Sequence, residues 1–281
     1  MKFRAGLAAK DLGILNGVAQ CFERFGPSCL IYLSERSIRF ASPKLGSDEV
    51  RAFSEIQQEK VFSEYRIASL ANNSILFEIG LSNLIKAFSS AKTAHFVRIK
   101  LAKRAGQPCI CLEARALDME LLHEVPIRVM RAADIQYYMP PDVAMPRVQL
   151  ELPYNRSMRT VLERFKIMDR FCFVDGDMSG ALRLRLQNDR CHVQTFYSNL
   201  IPRYVEGMTD GDEDMRRTEE GGSACCSIKL DSRKFLSALH FMTMKYDSAI
   251  CCMIEESCLV LHVTLAGHVG TLTLYLPMYL V

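Results

Sequence analysis

The sequence predicts an α+β protein of two tandem units, each with two helices on an antiparallel sheet, joined by an extended connector. Three observations carry that reading. A long segment recurs: Ile79-Gly80-Leu81-Ser82-Asn83-Leu84 through Phe88, then a strand at 95–101, is matched by Leu230-Asp231-Ser232-Arg233-Lys234-Phe235 through Leu239, then a strand at 249–254. In both places an apolar strand ends at a polar cap and a short helix begins, the mark of a repeated unit. Four short amphipathic segments also stand among many strand-like runs without strict strand–helix alternation, which favours α+β over a doubly wound sheet. Finally, residues 131–146 hold three prolines and no sustained period, and read as a connector between units at 1–130 and 147–281.

Taken in order, 2–7 alternates as a strand. Asp11 is placed to cap a helix whose Leu12, Leu15, Val18, Ala19, Phe22 and Phe25 form one stripe. Gly26-Pro27 stops it. A hairpin at 29–33 and 37–41 turns about Ser34-Glu35-Arg36. Strands at 50–56, 61–67 and 74–79 lead to a helix at 82–92 burying Leu84, Phe88 and Ala91; strands at 95–101, 109–114 and 123–130 complete the half. Pro126 cannot donate to a ladder, so its strand is expected at a sheet edge, open to another chain or guarded by the proline.

The second half restarts with a strand at 148–152 and a helix capped by Asn155, with Met158, Val161, Leu162 and Phe165 inward. Strands at 171–174 and 181–186 stand where 29–33 and 37–41 stood, and 190–197 is a further strand. The segment 206–222 reads as a surface loop. A strand at 227–230, the fourth helix from Ser232, and strands at 249–254, 258–265 and 271–276 finish the chain.

The totals exclude several classes. With 281 residues, 49% hydrophobic and 24% charged, the chain is long enough for an ample core. No apolar run reaches bilayer length, and the N-terminus enters charged alternation without a secretory pattern. Eleven cysteines, an odd number with adjacent pairs Cys225-Cys226 and Cys251-Cys252, suit buried free thiols in a reducing compartment. Cys109-x-Cys111 alternates on one strand face and lacks zinc-type spacing. The net charge of +3 conceals a local −5 over 206–222, which leaves +8 elsewhere. Such an excess permits a polyanionic partner without requiring one.

The outer helix faces are basic. The first carries Lys10, Gln20 and Arg24, with Gly13 and Gly17 between; the second carries Lys86 with Asn83, Ser89 and Ser90. The third has Arg156 and Thr160 beside Arg159, Arg164 and Lys166, interrupted by Glu163; the fourth has Arg233, Ser237 and His240. Polar outer faces need only water as their reason. The shared sign is what suits loose contact with phosphates. Asp175-Gly176-Asp177-Met178-Ser179-Gly180 starts like a calcium loop but lacks the closing glutamate and reads as a hairpin turn. The six histidines are scattered, and no P-loop, dinucleotide fingerprint or nucleophile elbow occurs. No catalytic residue, metal site or cofactor is therefore assigned.

A duplicated half joined by a proline-bearing connector resembles the sliding-clamp superfamily that includes PCNA, and within it the Hus subunits of the 9-1-1 DNA-damage checkpoint clamp. The resemblance rests on Met1-Lys2-Phe3-Arg4-Ala5, Gln58-Glu59-Lys60-Val61-Phe62-Ser63-Glu64-Tyr65, and Leu76-Phe77-Glu78-Ile79 with Asn83-Leu84 and Lys86-Ala87. It continues through Val97-Arg98-Ile99-Lys100-Leu101, Glu124-Val125-Pro126-Ile127, Asp231-Ser232-Arg233-Lys234-Phe235-Leu236 and Tyr275-Leu276-Pro277. It implies a non-catalytic subunit of a heterotrimeric ring with two Rad-type clamp partners, placed around double-stranded DNA by a clamp loader and serving checkpoint and repair proteins in the nucleus, with a cytoplasmic pool and no membrane partner. The helices would face DNA without regard to sequence through Lys10, Arg24, Lys86, Arg156, Arg159, Lys166, Arg233 and His240. One neighbour would pair near His123, Val125, Ile127 and Val129, the other near Arg190, His192, Gln194 and Phe196. Tyr137, Tyr138 and Met139, with Pro277 and Tyr279, occupy the positions that frame a peptide pocket in replicative clamps. A homotrimeric processivity clamp is the nearest alternative. A Cys- or His-dependent α+β hydrolase lacks a motif. A monomeric nucleic-acid binder reading through its sheet face would need exposed strand aromatics, whereas these aromatics sit among apolar neighbours in the sequence.

Overall fold

A computed structural model describes residues 1–43, 46–115, 120–154, 156–204 and 224–279. The Asn155 cap and the 206–222 loop lie outside the described residues. The chain forms two compact units, the first from Met1–Pro141, His240–Asp247 and Val263–Leu274 and the second from Asp142–Leu239, Ser248–His262 and Tyr275–Val281.

In the first unit, β1 (Lys2–Ala8), α1 (Ala9–Glu23), β2 (Ser28–Leu33), β3 (Ser37–Ala41) and β4 (Arg51–Gln57) are followed by α2 (Gln58–Val61), β5 (Glu64–Ala68), β6 (Ile75–Gly80), α3 (Leu81–Ser90), β7 (Phe96–Arg104), β8 (Gln107–Arg115) and β9 (Glu120–Met130). The strands lie in the order β5-β1-β7-β8-β9-β6-β2-β3-β4. Strand alternation turns Phe3, Ala5 and Leu7 inward. Helix α1 buries Leu12, Leu15, Val18 and Phe22 on its stripe. Full burial of a ring such as Phe22 stabilises by roughly 3 kcal/mol, and Phe22 also meets Phe40 with ring centroids 6.0 Å apart.

The second unit repeats the order: β10 (Val148–Glu151), α4 (Ser157–Met168), β11 (Phe171–Asp177), β12 (Leu182–Gln187), β13 (His192–Tyr197), β14 (Ile201–Pro202), β15 (Cys225–Asp231) and α5 (Ser232–Ala238). Strands β16 (Tyr246–Ile254), β17 (Cys258–Leu265) and β18 (Gly270–Pro277) close the chain. The pairing scheme repeats as well. β2 lies between β3 and β6, as β11 lies between β12 and β15. Asp231 caps α5 by accepting from the backbone N–H of Arg233 at 2.9 Å and of Lys234 at 3.2 Å.

Several expectations are corrected. Helix α1 starts at Ala9, so Asp11 is not its cap; it lies in the first turn, where its charge opposes the helix dipole favourably. The turn α2 pushes the strand expected at 61–67 to Glu64–Ala68. Gly80, with no side chain to offer, stands at the start of α3 in place of a polar cap. The connector opens as a 3₁₀ run, Ala132–Tyr138, rather than extended chain. Gly17 is not on an outer face: a Cβ there would meet the Met244 side chain at 3.1 Å. His240 lies beyond α5, in the 3₁₀ turn Leu239–Thr243.

Pro126 marks a change of partner rather than a fully open edge. Residues 120–126 of β9 pair with β8, whereas Ile127 to Met130 pair with β6. The other side of 120–126 has no ladder partner among the described residues.

Candidate nucleic-acid interface and open sheet edges

Each unit carries a packed pair of helices, α1 with α3 and α4 with α5. In the first, Lys10 sits in the opening turn of α1, Arg24 immediately follows that helix, and Lys86 stands out from α3; all three are exposed. His240 is half-buried. In the second, Arg156 precedes α4, Lys166 lies in its last turn and Arg233 in α5, all exposed. Arg159 differs, being ion-paired with Glu163 at 3.3 Å.

The electrostatic contrast with the sheets is informative. On the sheets, Arg39 pairs with Glu55, Arg98 and Lys100 with Glu113, Arg104 with Glu124, Arg128 with Glu78, and both Arg183 and Arg185 with Asp175. Among the described residues, Lys10, Arg24, Lys86, Arg156, Lys166 and Arg233 have no such carboxylate. Most sheet cations are held in ion pairs, whereas these helix-pair cations are free to meet an external anion, although Asp11 and Glu23 on α1 offset Lys10 and Arg24 in the field at a distance.

Strand β13 ends its four-stranded sheet, pairing only with β12 among the described residues. Arg190, His192 and Phe196 are exposed and Gln194 half-buried, its side chain bonding His192 at 2.7 Å. On β9, Val125 turns into the core and so offers a neighbour only backbone, and His123 is half-buried; Ile127 and Val129 are instead paired with Ile79 and Phe77 of β6, beyond the open side at 120–126. The exposed side chains belong to the opposite parity, Leu122 above all, which the strand's apolar pattern did not single out.

A cavity of about 170 Å³ in the first unit includes Phe40, Phe53, Ile135, Tyr138, Met139 and Pro140 in its lining. Tyr137 is exposed beside it. Pro277 and Tyr279 fall in the second unit, where Tyr279 stacks on Phe171 with centroids 4.2 Å apart and its N–H donates to the Lys229 carbonyl at 2.8 Å.

One expectation about aromatics is overturned. Phe171 and Phe173 lie on the half-exposed face of β11, and Phe196 on the same face of β13. Their apolar sequence neighbours point the other way. The ring faces are already engaged, Phe171 by Tyr279 and Phe173 by the Arg185 guanidinium at 4.3 Å.

The described side chains do not assemble a hydrolytic centre. Burial pushes Cys21 and Cys172 up to about 12 and Cys252 up to about 11, leaving the thiols protonated and inert at neutral pH. All eleven cysteines are free. Ser90 meets His123 at 2.7 Å, a superficially catalytic pair. The Ser90 hydroxyl also has the Lys86 and Ala87 carbonyls of its own helix within reach, each at 3.0 Å. Among the described residues no acid bonds the other ring nitrogen of His123, as a triad requires. Asp177 accepts from the Ser179 N–H at 2.7 Å, and Gly180 adopts φ +93°, the tight hairpin expected there. No group of three or more metal-ligating side chains occurs among the described residues, and no described helix is long and apolar enough to cross a membrane.

His262 supplies a pH test. Burial lowers its pKa below 6.5, so on acidification the unfolded chain takes the proton first. This contribution is complete above about pH 6.5 and is lost as pH falls through the folded value. Tm should therefore decline from pH 7.5 to 5.5, and His262→Gln should flatten that part of a calorimetric Tm–pH curve.

Residues 1–280 match the family described as Hus1-like protein. Checkpoint protein hus1 of Schizosaccharomyces pombe is 25% identical, covering 99% of both chains, and checkpoint protein HUS1 of Homo sapiens is 24% identical with the same coverage. Among solved structures, proliferating cellular nuclear antigen from Entamoeba histolytica aligns with a TM-score of 0.75 at 11% identity, covering 99% of each chain. PCNA of A. fulgidus, solved with the C-terminal region of FEN-1 bound, gives 0.69 at 9% identity and the same coverage. At those identities the likeness establishes the fold: a PCNA-like clamp fold over the whole chain.

Proposed function

We propose, from the premise that this chain belongs to the Hus1-like protein family, that it is one subunit of a heterotrimeric, ring-shaped DNA clamp of the 9-1-1 checkpoint type. The clamp encircles duplex DNA and tethers checkpoint and repair proteins there without catalysis. The observation that carries the reading is the set of exposed cations on the helix pairs of both units that have no ion pair among the described residues, set against sheet cations most of which are ion-paired. Phosphates are contacted this way when register along DNA must stay free.

Ring closure uses β9 in the first unit and β13 in the second, through strand addition to their open sides. Two Rad-type clamp subunits supply the complementary edges, and an ATP-driven loader places the ring. The division into clamp domains at 1–130 and 147–281, with a connector at 131–146 and a peptide pocket beside Tyr138 and Met139, belongs to the same proposal. So does work in the nucleus, with a cytoplasmic pool.

The test is mass in solution by light scattering, alone and with the two candidate partners. Conversion of a monomer into a one-to-one-to-one trimer is expected. A trimer of this chain alone would replace the reading with a homotrimeric processivity clamp. A monomer indifferent to both partners would remove the ring.

A further inference from the structure

Most sheet cations are ion-paired, but on one face of the first unit the carboxylates are too few. The side of β5, β1 and β7 turned away from the core displays Arg66 from β5, Lys2 and Arg4 from β1, and Arg98 and Lys100 from β7. Glu64 is shared by Arg4 at 3.7 Å and Arg66 at 3.5 Å, while Glu113 of β8 holds Lys100 and reaches Arg98 at 3.7 Å. Lys2 is exposed and has no ion pair among the described residues. Five cations against two acids leave an excess of three positive charges. Farther along the same face, Glu120 and Glu124 are matched one to one by Arg115 and Arg104, so the excess stays on β5, β1 and β7.

The register concentrates that excess. Arg66 lies directly opposite Arg4, and Arg4 directly opposite Lys100, so three cations stand in one row across three adjacent strands. The row continues through Cys111 and meets an acid only at Glu124, which Arg104 already holds. Like charges directly opposite one another destabilise a sheet. Local conflicts of this kind collect at functional sites. Beside the row, Phe96 is 37% exposed on the same face, and the tip of its ring lies where a Gly6 side chain would stand, two residues along β1 from Arg4.

We propose that this face is a second nucleic-acid site, one that takes a single strand without sequence preference. Its phosphates lie along the Arg66–Arg4–Lys100 row and a base rests against Phe96, the combination of cations and an aromatic ring by which single strands are held. A duplex keeps its bases inside the stack and would leave the ring unused. An acidic peptide would match the charge, but β1 is paired on both sides, so no ladder edge is open to it in the middle of the row. The inference goes beyond the clamp reading, which assigns duplex DNA to the helix pairs, and it does not depend on ring assembly.

The experiment is fluorescence anisotropy of a labelled oligothymidylate titrated with the full chain, with circular dichroism melts confirming that each variant folds. At about 0.1 M salt each lost phosphate contact should cost roughly fivefold in affinity, so Arg4→Gln with Arg66→Gln should weaken binding about 25-fold. Phe96→Ala should cost about tenfold, the worth of one base stack. Glu64→Gln frees both arginines and should tighten binding several-fold, a gain that a merely structural role does not produce. Lys86→Glu with Arg156→Glu, on the helices, should leave oligothymidylate binding within about twofold. No binding by the wild-type chain, unchanged affinity in the Arg4→Gln, Arg66→Gln variant, or a loss confined to the helix variant overturns the site and leaves the clamp reading intact. Sheet-dependent binding by a chain that never joins a trimer sinks the ring and supports this inference. Oligoglutamate competing as well as oligothymidylate, with Phe96→Ala silent, would show the occupant to be an acidic peptide and overturn its assignment as nucleic acid.

Discussion

Gly270→Ala should destabilise the chain by about 3 kcal/mol or more, one of the largest losses available to a single methyl group. A Cβ at Gly270 would lie 2.0 Å from the Glu55 carbonyl oxygen and 2.8 Å from the Ile56 Cα, both backbone atoms of β4. Neither can swing aside without parting β18 from that strand. The same approach holds the bond from the Ser54 hydroxyl to the Thr271 carbonyl at 2.8 Å and that from the Gln57 N–H to the Val269 carbonyl at 2.9 Å. Gly6 makes the contrast, because its Cβ would meet only the tip of the Phe96 ring. In urea unfolding, Gly270→Ala should shift the midpoint sharply downward. Gly13→Ala, with nothing within 4 Å, should raise stability by up to about 1 kcal/mol through helix propensity. Equal, small effects at the two positions would refute the close approach.

The repeated order of strands and helices was legible because it depends on apolar periodicity, which the chain displays twice. What escaped depends on tertiary partners. Gly17 looked like a gap on an outer helix face because a sequence cannot show Met244 arriving from a distant part of the chain. Pro126 did indicate an unusual strand, but the change of partner from β8 to β6 is set by two other strands. The outward position of Phe171 and Phe173 was missed because their neighbours Cys172 and Val174 made the run look uniformly apolar. Parity resolves it: alternate residues face opposite sides, and Arg185 and Lys229 come over Phe173 from adjacent strands. The same parity hid Leu122 behind Val125 and Ile127 as the side chain offered at the β9 edge. On the helix faces the sign of the charge was readable from residue types alone. Only the ion pairs show which cations are held.

That distinction decides which residues to reverse. Lys86→Glu with Arg156→Glu should sharply reduce retention of duplex DNA while leaving ring assembly unchanged. Arg159 is the poorer choice, because Glu163 already offsets its charge and its side chain is only 24% exposed. Each phosphate that loses its neutralising cation should lower the slope of log affinity against log salt by about 0.9, so the double variant should be shallower by roughly 2. Lys103→Glu is the control for either helix change made singly, an equal reversal of charge at an exposed β7 side chain with no ion pair among the described residues. If Lys103→Glu weakened retention as much as either helix variant, net charge alone would explain binding and the helices would lose their assignment. A shallower slope confined to the helix variants would mean that position on the fold, beyond charge count, brings these cations to phosphate. Sequence independence follows from such contacts, because they reach the backbone and leave the base edges unread.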